Sequence, residues 1–157
     1  MKYNYLNIYN NLIKLTRNKS LYLNLNNKET FSDRLVFLLL HLTFFLKIYK
    51  HDNSKELLQN IHDFIFKQIE LSIREIGYGD VSINKNMKNY VNLFYSIVEK
   101  IETLDLSNND NQLILLKKYL NNDKNIEFYV DYFNKYRLFL ANNTLKNFTK
   151  DILELKI

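Results

Sequence analysis

Residues 54–83 read SKELLQNIHDFIFKQIELSIREIGYGDVSI, and this stretch decides the fold class. Leu57, Leu58, Ile61, Ile65, Ile69, Ile73 and Ile76 recur at helical spacing, which lines one face of an α-helix with apolar side chains. Ser54 stands where an N-cap belongs, its hydroxyl placed to accept an orphan N–H of the first turn. Gly77-Tyr78-Gly79-Asp80 then holds the only two glycines of the chain. Left-handed backbone angles at those glycines end the helix and turn the chain. Asp80 or Ser82 is positioned to cap the next helix, in which Ile83, Met87, Tyr90, Val91, Phe94, Val98, Ile101 and Leu104 repeat the helical period.

Upstream, either Ser32 or Asp33 is a suitable N-cap for the run from Leu35 to Leu46, which is apolar on every side of a helix. Such a helix must be buried. The run is shorter than the roughly 20 apolar residues of a membrane span, and it contains His41 and Thr43. Tyr5, Ile8, Tyr9, Leu12, Ile13 and Leu15 mark an earlier helix that fades near Arg17-Asn18. From Lys19 to Thr30 the chain reads as a long connection anchored by Leu21, Tyr22, Leu23 and Leu25. After a polar break at Ser107–Asn111 come shorter patterns: Leu113, Leu116, Tyr119 and Leu120; then Ile126, Tyr129, Val130, Phe133, Tyr136 and Leu140; then Leu145, Phe148, Ile152 and Leu155. With no repeat and no interdomain linker, the expectation is all-α: one domain over 1–157, an irregular bundle of about six or seven helices.

Composition agrees. The 157 residues include no proline and two glycines, a poor supply for the tight hairpins of a β protein. The absence of cysteine excludes disulfide scaffolds, thiolate metal sites and a cysteine nucleophile. Formal charge is +5, which favours anionic partners without naming one; scattered lysines are also ordinary on a helical surface. The N-terminal residues show no apolar run followed by a small-residue cleavage site, which points to the cytoplasm.

Chemistry is sparse. His41, His51 and His62 are the only histidines; His41 and His62 could face one another, but two histidines without a carboxylate make a weak metal site. Asp63 beside His62, Glu70, and Glu75 beside Arg74 fit helix-surface ion pairs better than acid–base pairs. Gly77-Tyr78-Gly79-Asp80 lacks the third glycine, the lysine and the preceding strand of a phosphate loop. The reading therefore assigns no catalysis, cofactor, metal or small-molecule substrate. Lys85, Lys88, Tyr90, Phe94, Tyr95 and Lys100, with Lys117-Lys118-Tyr119, interleave cations and aromatics in a manner suited to RNA. Tyr90 and Phe94, however, also lie on the apolar stripe.

Ile73-Arg74-Glu75-Ile76-Gly77-Tyr78-Gly79-Asp80, continuing to Lys85, Met87-Lys88 and Phe94-Tyr95, resembles the signature of the ubiquinol-cytochrome c chaperone family. Tyr9, Arg17, Leu21-Tyr22, Thr30, Arg34 and Leu40-His41 extend the resemblance upstream. Asp33 and Ser96 stand where the family often has glycine, and Lys28 where it often has proline. The resemblance implies an all-helical assembly factor for complex III that binds newly made cytochrome b. It further implies a small partner protein and the ribosome as companions in some relatives, and here a bacterial member at the cytoplasmic face of the inner membrane. Arg74, Glu75, Gly77, Tyr78, Gly79, Asp80, Lys85, Lys88 and Tyr95 are then the candidate client- or partner-binding residues. The other reading is an RNA- or ribosome-binding helical module without a client.

Overall fold

Thr30, rather than Ser32 or Asp33, starts the central helix. Its hydroxyl accepts from the Asp33 backbone N–H at 3.1 Å, while the Asp33 carboxylate accepts from the Thr30 N–H at 3.2 Å. This reciprocal capping box satisfies two donors at once, which a cap at Ser32 or Asp33 would not do. The computed structural model describes residues 3–23, 30–120 and 125–150. Among them are seven α-helices: α1 Tyr5–Thr16, α2 Phe31–Tyr49, α3 Lys55–Ile76, α4 Asp80–Thr103, α5 Asn109–Leu120, α6 Ile126–Ala141 and α7 Leu145–Phe148. There is no strand among the described residues.

The all-round apolar run does become the core helix. From Phe37 to Phe45 every residue of α2 is buried, and α2 packs against α1, α4 and α6. Opposing aromatics fill the space: Phe44 stacks on Phe133 of α6 at 5.2 Å between centroids, and Phe45 meets Phe148 of α7 edge-on at 4.9 Å. Such pairs add about 0.5–1.5 kcal/mol each to the burial of their area. No helix of the described residues is long and apolar enough to cross a membrane.

Two buried polar side chains of this core, His41 and Asn11, have hydrogen-bond partners within it. His41 is fully buried; its Nδ1 lies 2.6 Å from the Phe37 carbonyl and its Nε2 2.6 Å from the Tyr132 hydroxyl. A carbonyl only accepts, so Nδ1 carries the proton and Nε2 accepts from Tyr132. Asn11 on α1 donates to the carbonyls of Phe148 and Lys150 at 2.7 and 3.0 Å, tying the end of the described chain to its beginning.

Several sequence expectations are corrected. Between α1 and α2 a short 3-10 turn, Lys19–Leu21, buries Leu21 and Tyr22, but Leu23 is 79% exposed and is no anchor; Leu25 lies outside the described residues. Ile152 and Leu155, expected in the last helix, also lie outside them, and α7 is a single turn. His41 and His62 do not meet: His41 sits against Tyr132, Phe133 and Tyr136, whereas His62 packs on Phe66 and Phe94.

Candidate partner-binding site at the α3–α4 turn

Gly77 terminates α3 at φ 99°, a left-handed conformation that L side chains rarely adopt, and its N–H donates to the Arg74 carbonyl at 3.0 Å. Gly79 differs from the expectation. Its φ of −72° and ψ of 162° are ordinary extended backbone at the N-cap of α4, and a Cβ there would meet nothing. Neither Asp80 nor Ser82 caps α4: the N-cap is Gly79, which has no side chain to offer, and Asp80, the first residue of the helix, accepts instead from Arg74 across the turn. Replacing Gly77 by valine should therefore cost about 1–3 kcal/mol, whereas Gly79→Ser, which keeps a good N-cap on ordinary extended backbone, should leave stability within about 0.5 kcal/mol. Equal losses in urea denaturation would contradict this division of labour.

Arg74 braces the turn. Its Nη1 lies 3.0 Å from Asp80 Oδ1 and its Nη2 lies 3.1 Å from Glu70 Oε1, while Lys67 reaches the other Glu70 oxygen at 3.2 Å. The hydrogen bond from Arg74, then that from Lys67, holds the Glu70 carboxyl below its usual range; the Asp80 bond, then the Glu70 bond, raises the guanidinium further. Exposed pairs of this kind contribute little stability. They link the last turn of α3 to the first residue of α4 across the glycine turn.

The braced turn presents apolar side chains to solvent. Ile76 is 52% exposed, Tyr78 48% and Val81 86%. Ile76 and Tyr78 also edge a hollow of about 290 Å³ that Phe31, Ile73 and Tyr90 help to line, so the starts of α2 and α4 and the end of α3 converge there. Of the sequence candidates, Arg74, Glu75, Gly77, Tyr78, Gly79 and Asp80 make up this turn. Lys85 and Lys88 are exposed on the first turns of α4. Tyr95 is exposed too, but about four helical turns beyond Asp80 and beside His62. Sequence reasoning missed Val81, and placed Ile76 on the buried stripe. The available signal was an apolar residue on each side of a glycine pair, where a turn is ordinarily polar.

The other chemistry-bearing groups resolve as surface or packing features. Gln59 and His62 hydrogen-bond Asp63, with the His62 bond doing most to keep its carboxyl low. Among the described residues no three of His, Cys, Asp or Glu come together as a metal site. Phe94 is 3% exposed, and Tyr119 is half-buried with its hydroxyl 2.7 Å from Ser96 Oγ. Of the rings that would stack on bases, Phe94 is thus turned into the bundle and Tyr90 and Tyr119 are half-buried, while Tyr95 is exposed.

A family model described as ubiquinol-cytochrome C chaperone matches residues 23–122, well over half of the chain and including the whole α3–α4 hairpin. The chain belongs to the ubiquinol-cytochrome C chaperone family. The crystal structure of the Cbp3 homolog from Brucella abortus is similar, with 24% identity and a TM-score of 0.75 over 92% of this chain and 84% of that one. At this identity the likeness concerns the fold, and it extends beyond the family match to most of the bundle. No curated protein matches the sequence. Within this chaperone family member, the Ile73–Asp80 part of the signature builds the turn, while Lys85, Met87-Lys88 and Phe94-Tyr95 lie along α4.

Proposed function

We propose that this family member binds newly made cytochrome b and promotes assembly of ubiquinol-cytochrome c reductase, using the α3–α4 turn as a client contact. The observation that carries the reading is the trio Ile76, Tyr78 and Val81, exposed to solvent at a turn that Arg74 spans by its pairs with Glu70 and Asp80. A client made of membrane helices offers apolar surface and no strong charge pattern, and exposed aromatic and aliphatic anchors beside a hollow are suited to it. Lys85 and Lys88 flank the turn, and the chain's charge of +5 favours an encounter at an anionic membrane surface, in the cytoplasm and next to the inner membrane. The mechanism is capture without chemistry: apolar segments of the client are covered until its partner subunits arrive. A small partner protein or the ribosome would add to this contact.

Deletion of the protein in its own cell tests the reading. Cytochrome b and complex III, measured by haem spectra and immunoblot, should fall together while other respiratory complexes persist. Normal amounts of both would count against it.

A further inference from the structure

A second hollow, about 460 Å³, opens between α1, the start of α2 and α3, away from the glycine turn. Its floor is apolar: Leu38 and Ile69 are almost fully buried, and Tyr9 and Ile13 extend the lining. Its rim is cationic, carrying Arg17, Lys19 and Arg34, and no acidic residue lines it among those described. Arg17 and Lys19 are exposed and make no ion pair among the described residues. Of the three hydroxyls in the wall two donate elsewhere, Thr16 to the Leu12 carbonyl at 2.9 Å and Ser72 to the Gln68 carbonyl at 3.0 Å, which leaves that of Tyr9. The donors left to meet a ligand are therefore Arg17, Lys19 and the Tyr9 hydroxyl, two cations and one neutral group, a balance that favours a negative charge over a neutral polar group. The volume lies within the roughly 300–1,000 Å³ of small-molecule sites.

We propose that this hollow binds a single-chain anionic amphiphile, with its carboxylate or phosphate at Arg17 and Lys19 and its hydrocarbon chain over Tyr9, Ile13, Leu38 and Ile69. A fatty acid and a lysophospholipid share that chemistry. Apolar floor and cationic rim act together: the chain gains from leaving water, and the headgroup keeps its contact with solvent and with the two side chains. The site is independent of the turn and of what the turn binds.

The test uses the full chain and a fluorescent polyunsaturated fatty acid as probe. Binding should saturate at one probe per chain and be displaced by lysophosphatidate. The double variant Arg17→Glu/Lys19→Glu should weaken it at least about tenfold. Ser72→Trp, which fills the hollow, should weaken it comparably, and if that variant does not fold the exposed double variant decides. Anionic phospholipid vesicles that compete with the probe, and that release the double variant, would identify bilayer lipid as the source; vesicles that do not compete would identify the free single-chain form. The proposal is overturned by an absence of saturable binding, or by unchanged affinity in the folded variants. It is equally overturned if inorganic phosphate displaces the probe as well as lysophosphatidate does. A peptide that binds more tightly through its free carboxylate than the fatty acid would give the hollow to a chain terminus instead.

Discussion

Lowering the pH from 7 to 4 is expected to remove up to about 3 kcal/mol of folding stability through a single side chain, His41. Burial drives its pKa down to about 4, and the hydrogen bond to the Phe37 carbonyl offsets this only in part. The groups facing its ring are the Tyr132 and Tyr136 side chains, whose own pKa values burial raises, so both stay neutral throughout this range. The folded state thus keeps His41 neutral, while an unfolded chain takes up a proton near pH 6.5. A folded pKa below the unfolded one means that the contribution is complete above about 6.5 and is lost as the pH falls toward 4. Asp63, Glu70 and Asp105 have depressed pKa values and also lose their contributions in acid, but below their ordinary values of 3.8 to 4.5 and from exposed positions. The interval between pH 6.5 and 5 therefore belongs to His41. Urea denaturation across it should show a slope that His41→Gln flattens, since glutamine keeps an acceptor for Tyr132 without titrating. Parallel profiles for the two proteins would refute the assignment.

The second large effect concerns binding. Tyr78→Asp/Val81→Asp places two carboxylates where an apolar client would otherwise be covered. Both side chains are about half or more exposed, so the change in folding stability should stay within about 1 kcal/mol. Retention of cytochrome b should fall at least about tenfold, as for loss of two anchors in an interface, and complex III should fall with it. The charge reversals Lys85→Glu and Lys88→Glu should act more weakly and in a salt-dependent way, because rim charges chiefly affect encounter. A Tyr78/Val81 variant that folds normally and still retains cytochrome b would remove the turn from the account.

Much of the architecture was legible because it follows from local physics. The α3–α4 hairpin could be read from one apolar period and from Gly77, the one described residue whose positive φ needs a glycine. Gly79 was misread for a related reason: glycine permits left-handed geometry without requiring it, and here the backbone is extended. The start of α2 was ambiguous because Thr30, Ser32 and Asp33 are all capping residues within four positions, and only the reciprocal bonds between Thr30 and Asp33 choose among them. Ile97 is fully buried yet fell outside the stripe assigned to α4, since α4 packs against both α2 and α3 and its buried face is wider than one stripe. The fate of Leu23 depends on tertiary neighbours that no local pattern encodes.

The candidate site was legible in part. The signature located the turn, but the link between Arg74 and Asp80 exists only once the chain has reversed. That Ile76 and Val81 face water depends on where the helix ends and on what packs beside it. Tyr95, read as part of the same group, sits four turns away because a long helix separates residues that the sequence lists close together.

The most direct test of the central claim is site-specific photo-crosslinking during cytochrome b synthesis, with the reactive residue at Val81. Ile114 on α5, also well exposed at 60%, supplies the control position. An adduct between the protein and newly made cytochrome b from Val81, absent from Ile114, is the expected result. Adducts from Ile114 alone, or from neither position while cytochrome b still co-purifies with the protein, would contradict the assignment of client binding to the α3–α4 turn.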